Sequence, residues 1–258
     1  LDKSYRVPRS VHEFANRIIS NVGTRQAKNW QPRKEEGALV FHYNIRDIDF
    51  RTGEWYILAR TNRILSEISQ YLENQGYFFW REGSGWSVPQ EIINNIEVWV
   101  KLCKDKSLSV QEWVSFSKKT KKGIIDHGGK KQIETLALGQ MYSLDDLLKS
   151  DLGEKLNLNK EMKWWDVIDV TEKQRIYITS VLRRGESILV GKPRIRISTI
   201  HRAKGGEADN VALILDRPKI IKEKGDEDSE HRIFYVGATR AKKQLHIIES
   251  KDRNGYNI

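Results

Sequence analysis

The chain has 258 residues, of which 38% are hydrophobic, enough for one large domain or two small ones. Its formal charge of +10 favours a polyanionic partner, because a positive surface attracts phosphates; a basic protein whose charge serves only solubility is the alternative. The single cysteine, Cys103, excludes an internal disulfide and a cysteine-rich metal site. No apolar run approaches the ~20 residues of a membrane span, and the start LDKSYRVPRS lacks a signal-peptide core. We therefore expect a cytoplasmic location and no membrane partner.

The sequence begins with Leu1, and its methionines are Met141 and Met162. We therefore expect it to be a piece of a longer protein. Motifs missing from these residues are then expected upstream.

Helices and strands alternate in the first part of the chain. Ser10 and Glu13 have the spacing of a capping box, and apolar residues recur on one helical face behind them. Strands are predicted for ALVFHYN from Ala38, for the buried WYILAR from Trp55 and for YFFW. A helix with one apolar face lies between the last two and stops at Gly76. This alternation predicts an α/β fold with a parallel sheet covered by helices.

The middle of the chain has a different pattern, which is helical and dotted with lysines. PQEIINNIEVWVKLC is the clearest amphipathic helix, and the stretch from Lys118 to Lys131 contains a basic, glycine-bearing turn. We predict a discontinuous α/β domain, residues 1–87 and 191–258, interrupted by a mostly helical insert, residues 88–190.

The α/β pattern resumes with the strands RIRISTI and NVALILD, followed by a charged loop, KEKGDEDSE. The segment HRAKGGEAD follows the first of these strands. Its Gly205 and Gly206 would let the backbone approach a phosphate, and Lys204 and Arg202 add positive charge. Ligands of open parallel sheets bind beyond the carboxyl ends of the strands, so we expect the segment there; a flexible turn is the alternative.

RIFYVGATRAKKQL predicts a helix that runs into a final strand. Arg240 lies among the small residues Gly237, Ala238 and Ala241. Core packing does not account for a guanidinium at that position. A ligand outside the fold would account for it.

Several other enzyme sites are not indicated. The segment Gly185 to Pro193 is not a phosphate loop, because its glycines are one residue too far apart and a proline replaces the magnesium-binding hydroxyl. The six histidines lack metal-ligand spacing and no G-x-S-x-G motif occurs, so we predict no metal site. Trp80 and Trp86 stay open as stacking surfaces for bases. The tryptophans predicted to pack in the core are Trp55, Trp99 and Trp113.

Four stretches carry a family resemblance. In chain order they are LDKSYRVPRSVHEFAN, YILARTNRILSEISQYL, ISTIHRAKGGEADNVALIL and RIFYVGATRAKKQL. They resemble the fourth motif, the segment after it, the fifth motif and the sixth motif of the UvrD/Rep-like superfamily 1 DNA helicases. The resemblance implies that family's second RecA-like domain, a fold like that of phosphate-loop NTPases. The family inserts an accessory domain in the same gap, and VPQEIINNIEVWVKL resembles its first helix.

The resemblance also implies a nucleotide site. Arg240 and Arg6 match arginines that reach the phosphates of ATP and stabilise charge during phosphoryl transfer, the arginine-finger role. Tyr5 matches a tyrosine that stacks on adenine, Glu207 an acid that contacts the ribose, and Gly205 a backbone position near the γ-phosphate. Both arginines are therefore predicted catalytic residues.

A DNA site is implied by the same family. Arg60, Asn62, Thr199 and His201 match residues that hold the backbone of single-stranded DNA, so binding should be largely independent of sequence. The stretch from Lys118 to Lys131 faintly resembles a loop that touches duplex DNA, and a solvated lysine loop is the alternative.

The sequence departs from the family in two respects. The family commonly has Gly-Leu-Glu-Phe where this chain has Gly205, Gly206, Glu207 and Ala208, which loosens the apolar packing expected behind the acid. The family's phosphate loop and its magnesium-binding acids belong to a first RecA-like domain, which these residues do not include.

We therefore hypothesise that the chain is the carboxyl-terminal part of an ATP-dependent DNA helicase or translocase. It would hydrolyse ATP with Mg²⁺ only together with the first RecA-like domain, and would bind single-stranded DNA. A non-catalytic module that binds nucleic acid or docks a partner on a helicase-like fold is the alternative.

Overall fold

The structure is a computed structural model that describes residues 4–25, 30–186, 188–189, 191–250 and 255–257. The chain divides into two compact units. One comprises the residues up to Ser87 together with those from Lys192 onward, and the other is Val88–Gly191. None of the helices in the described part of the chain has the length and the apolar character of a membrane span.

The first unit begins with an alternation of helices and strands. Its elements before the insert are α1 (Arg9–Ser20), β1 (Ala38–His42), β2 (Trp55–Ala59), α2 (Asn62–Asn74), β3 (Phe79–Arg81) and β4 (Gly85–Trp86). The start of α1 differs from the prediction, because Pro8 occupies the N-cap position without a side-chain hydrogen bond. The Ser10 hydroxyl instead donates to the carbonyl of Glu36 at 2.9 Å. The predicted helix is confirmed and its predicted capping box is wrong.

The insert forms the second unit and is mostly helical, as predicted. Its elements are α3 (Gln90–Cys103), β5 (Leu108–Ser109), α4 (Val110–Ser117), α5 (His127–Glu134), β6 (Met141–Tyr142), α6 (Leu144–Leu148), α7 (Trp164–Val167) and α8 (Glu172–Arg183). Trp99 and Trp113 are buried in its core, and their indole N–H groups donate to the carbonyls of Met162 and Tyr142 at 3.2 and 2.9 Å. These tryptophans are structural, as predicted.

The chain then returns to the first unit. The remaining elements are β7 (Ile195–Thr199), a 3-10 turn (Ile200–Ala203), β8 (Ala208–Ile214), α9 (Lys219–Lys224), α10 (Glu227–Ala238) and β9 (Ala241–Ile248). The charged segment KEKGDEDSE, predicted as a loop, instead contains the end of α9 and the first turn of α10. Pro218 precedes α9, and the Asp226 side chain caps α10 by accepting from the Asp228 N–H.

The strands of the first unit form one seven-stranded sheet in the order β1-β9-β8-β2-β7-β3-β4. All neighbouring pairs are parallel except β3 and β4. The predicted α/β fold is thus confirmed. Because the strands are parallel, their amino ends lie at one edge of the sheet and their carboxyl ends at the opposite edge, about 17 Å away for strands of five residues.

Helices cover both faces of this sheet. On one face, α1 and α10 pack against alternate residues of β2, β8 and β9, with Phe14, Phe234 and Tyr256 in the core. On the other face, α2 packs against the intervening residues, including Ile57 and Ile197. The period-two pattern of the strands therefore supplies two separate apolar layers.

The helix α10 lies unusually close to the sheet at Gly237. A Cβ added at this glycine would lie 2.7 Å from Leu213 Cδ1 of β8 and 3.3 Å from Ile200 Cγ2. Ala238 and Ala241, on either side of the turn that leads into β9, are fully buried. The small residues noted in the sequence thus permit the close approach that holds Arg240 at the end of the helix.

We expect Gly237→Val to lower the free energy of unfolding by about 2 kcal/mol, because the added methyl groups would overpack the contact with Leu213. Urea-induced unfolding followed by circular dichroism measures this change. Gln70→Val, on the exposed side of α2, is the control and should cost about 0.5 kcal/mol or less, the propensity difference alone. Equal effects of the two substitutions would refute the close packing.

Candidate nucleotide and DNA interface

The predicted site residues separate into two groups at opposite edges of the sheet. Arg60 follows the carboxyl end of β2, and Thr199 ends the adjacent β7, whose register pairs Ala59 with Thr199. Glu207 and Arg240 immediately precede the paired strands β8 and β9 and so lie at the amino edge. The segment 200–207 crosses from one edge to the other.

This crossing corrects the prediction that all of HRAKGGEAD lies beyond the carboxyl ends of the strands. His201 lies at that edge, but Gly205, Gly206 and Glu207 lie at the amino end of the next strand. The prediction failed because a connection of eight residues, half of it a 3-10 turn, is long enough to span short strands.

Arg240 is the centre of the amino-edge group. Its half-buried guanidinium donates from Nε to the carbonyl of Val236 at 2.9 Å and from Nη1 to the carbonyl of Gly206 at 3.4 Å. Burial lowers the pKa of Arg240, and the positive charge of Arg6 lowers it further, while nearby Tyr and Glu side chains oppose the change. Two like charges are therefore held close together, which favours an anionic ligand.

Arg6 reaches the same place from the segment before α1. Its Nη1 lies 3.6 Å from Glu207 Oε2. Its Nε is buried and has no hydrogen-bond partner among the residues that the structure describes. A buried N–H without a partner is costly, so this donor is available to a ligand.

Further charges surround Glu207. Lys242 Nζ lies 3.9 Å from Glu207 Oε1 and 3.5 Å from Asp209 Oδ1, and Lys243 Nζ lies 2.7 Å from Asp209 Oδ2. With the two arginines, four cations face two carboxylates in this group. The amino edge is therefore cationic.

Two tyrosines border the arginines. Tyr5 is 80% exposed, so one face of its ring is open to a planar ligand, as its predicted stacking on adenine requires. Tyr235 of α10 is half-buried. Burial raises its pKa, whereas the positive charges of Arg240 and Arg6 lower it. Sequence reasoning missed Tyr235, which lies on α10, five residues before Arg240.

Gly205 and Gly206 have different roles in the crossing segment. Gly205 has a φ of +88°, and a Cβ there would meet no atom within 4 Å among the described residues. A glycine is needed at position 205 because the backbone there is left-handed, and the missing side chain leaves open space beside the arginines. A Cβ on Gly206 would instead lie 2.8 Å from Tyr56 Cε1, so this glycine is needed for packing.

Arg60 at the carboxyl edge is held by Glu230 of α10. Its Nε donates to both Glu230 oxygens at 3.1 Å, and its Nη2 donates to Oε1 at 2.8 Å. The side chains of Arg60 and Glu230 are only 16% and 3% exposed. Much of the guanidinium predicted to hold DNA is thus used within the protein; among the described residues, its Nη1 makes no hydrogen bond.

The other predicted DNA residues lie around this ion pair. Partial burial lowers the pKa of His201, and the positive charge of Arg60 lowers it further, whereas the negative charge of Glu230 raises it. Thr199 is half-buried before the 3-10 turn, and Asn62 is exposed as the first residue of α2. The adjacent ends of β2 and β7 therefore bring all four predicted residues to one edge.

Two further arginines lie at this edge: Arg81, which sequence reasoning missed, and Arg202, which it had assigned to a phosphate rather than to DNA. Arg81 ends β3 and donates to the Asn62 carbonyl at 3.3 Å and to the Ser66 hydroxyl at 3.2 Å, so it anchors the start of α2. Arg202 is exposed, and its Nη1 lies against Gly83 in the turn between β3 and β4. The strand order decides both placements, because it puts β3 beside β7.

Among the described residues, no three His, Cys, Asp or Glu side chains are grouped so as to hold a metal ion. A search of curated proteins gave no match. The model of the UvrD-like helicase C-terminal domain matches residues 90–252, more than half of the chain. The chain belongs to the UvrD-like helicase C-terminal domain family.

The match to the UvrD-like family runs through the helical insert as well as the last strands of the sheet. Family membership confirms the resemblance and the RecA-like fold, and it places the chain in a helicase context with nucleic-acid binding. The predicted site residues within the matched range are Thr199, His201, Gly205, Glu207 and Arg240. Those ahead of it are Tyr5, Arg6, Arg60 and Asn62.

We expect Glu230→Gln to lower the free energy of unfolding by about 2–4 kcal/mol, because it leaves the largely buried Arg60 without its carboxylate. Urea-induced unfolding is the measurement. Glu67→Gln is the matched control, because Glu67 pairs with Arg63 on the surface, where both side chains are more than 60% exposed. That substitution should cost about 0.5 kcal/mol or less. A Glu230→Gln effect as small as the control's would show that the Arg60 pair does not stabilise the fold.

Proposed function

We propose that this chain is the carboxyl-terminal part of an ATP-dependent DNA helicase or translocase, and that it supplies two arginine fingers to the ATP site. The convergence of Arg6 and Arg240 at the amino edge carries this proposal. Two cations held together, one of them with a buried N–H that has no partner in the described part of the chain, suit the charge that spreads over the γ-phosphoryl group in the transition state.

The remaining parts of the nucleotide site follow the same geometry. Tyr5 offers an exposed ring for adenine, and Glu207, beside Arg6, offers a carboxylate for the ribose hydroxyls. Gly205 leaves space for a phosphate near the backbone. The phosphate loop, the Mg²⁺ ligands and the residue that positions water would come from a first RecA-like domain of the same protein.

On the opposite edge we propose a surface for the backbone of single-stranded DNA. Thr199, His201, Asn62 and the outward side of Arg60 offer polar groups there, and Arg202 adds an exposed charge. Such contacts reach phosphate and sugar and are independent of sequence. We give the lysine-rich stretch from Lys118 to Lys131 no defined role; part of it is α5, which begins at His127 after the Asp126 cap.

The ATP site is tested by Arg240→Ala in the protein that includes the first RecA-like domain. ATP affinity should be largely retained, whereas the rate of hydrolysis should fall by about a thousandfold or more, because the finger acts in the transition state. Single-turnover hydrolysis together with equilibrium nucleotide binding separates the two quantities.

Arg232→Ala is the matched control for Arg240→Ala. Arg232 belongs to α10, which ends two residues before Arg240; it is exposed and donates to the carbonyl of Thr24 at 2.9 Å. Its removal should change the hydrolysis rate by no more than about twofold. Unchanged hydrolysis in Arg240→Ala would contradict the arginine-finger role and favour the non-catalytic module.

The DNA surface is tested on the 258-residue chain by fluorescence anisotropy with a labelled oligothymidine at several salt concentrations. Binding should be weak, with a slope of log K against log salt of about −2 to −3, as expected for a few phosphate contacts on a single strand. Arg202→Gln should make this slope less steep by about 0.7. Arg51→Gln, before the amino end of β2, is the control and should leave it unchanged. Salt-independent binding would contradict a backbone interface.

A further inference from the structure

A hydrogen bond from the sheet holds the main chain of the crossing segment, residues 200–207, at Glu207. Arg196 of β7 donates from Nη2 to the main-chain carbonyl of Glu207. The N–H of Gly206 donates to the carbonyl of Ala203 at 3.0 Å. These two bonds fix the backbone on both sides of the peptide between Gly206 and Glu207.

Arg196 is itself held by an aromatic ring. Its Cζ lies 4.7 Å from the centroid of the Tyr56 ring, a cation–π arrangement. The two residues are direct neighbours in the register of β2 and β7. Tyr56 is only 3% exposed, so the ring is a rigid support.

The same ring explains the glycine at position 206. A Cβ there would lie 2.8 Å from Tyr56 Cε1 and 3.4 Å from the Ala203 carbonyl oxygen. Tyr56 thus fills the space beside the segment that a side chain at position 206 would otherwise occupy. The packing behind Glu207 is therefore aromatic and comes from β2, and it is not loosened as the sequence suggested.

We propose that Arg196, supported by Tyr56, is a positioning residue that aims Glu207 at the nucleotide sugar. Its hydrogen bond sets the main chain of Glu207, and the carboxylate then lies 3.6 Å from Arg6 and 3.9 Å from Lys242. Arg196 contacts no predicted ligand position itself; it acts through Glu207. The functional part of this inference rests on the proposed ATP site.

The structural part is tested on the 258-residue chain by amide hydrogen exchange. Arg196→Met keeps an unbranched stem but removes the guanidinium, so exchange at the amide of Gly206 should accelerate roughly tenfold while Tm is unchanged. Arg196→Lys retains a cation over the ring and should give an intermediate rate.

Arg194→Met is the matched control, because Arg194 precedes the same strand and donates to the carbonyls of Gly53 and Phe50 at 2.8 and 3.1 Å. It should leave exchange at Gly206 unchanged. Equal exchange in the wild-type chain and Arg196→Met would overturn the proposal, whatever the protein's activity proves to be.

The functional part is tested in the protein with its first RecA-like domain by a double-mutant cycle between Arg196→Met and Glu207→Gln. Arg196→Met should raise the KM for ATP by about tenfold and change kcat by less than about twofold, because Arg240 is untouched. In the Glu207→Gln background it should raise KM no further. Additive effects would show that Arg196 does not act through Glu207.

A normal rate in Arg240→Ala together with faster exchange in Arg196→Met would refute the ATP site and leave the positioning contact standing.

Discussion

The close packing of α10 against the sheet is the constraint on which both edges depend. Gly237 lets the helix approach β8, where no larger side chain fits beside Leu213. The helix has twelve residues and is therefore about 18 Å long, similar to the width of the sheet along its strands. Its first turn holds Arg60 through Glu230 at the carboxyl edge, and its last turn leads to Arg240 at the amino edge. One rigid element thus sets the position of a residue in each group.

Electrostatics distinguishes the two edges. At the amino edge, burial lowers the pKa of Arg240 and the positive charge of Arg6 lowers it further, whereas Glu207 opposes this change. At the carboxyl edge, Arg60 is neutralised by a buried carboxylate. The first arrangement leaves positive charge uncompensated, whereas the second pairs a guanidinium with a carboxylate inside the protein. An arginine that matches a family motif can therefore have either role.

Local patterns predicted most of the secondary structure because helix and strand periodicities are properties of neighbouring residues. They failed where a residue's partner is distant. Ser10 and Glu13 have capping-box spacing, yet the Ser10 hydroxyl bonds to Glu36 because the chain before α1 enters through Pro8. The charged segment KEKGDEDSE was predicted to be a loop because its polarity hides the end of one short helix and the first turn of α10.

The sequence by itself determined the α/β alternation, the mostly helical insert and the family, because these follow from periodicity and from motifs of consecutive residues. It also named Arg6, Glu207 and Arg240 as a group through the resemblance. Only the tertiary structure decided that Arg60 binds a carboxylate 170 residues away, and that Arg196 lies on Tyr56. Both contacts depend on the order of strands in the sheet and on how helices pack over it, and no local pattern encodes that order.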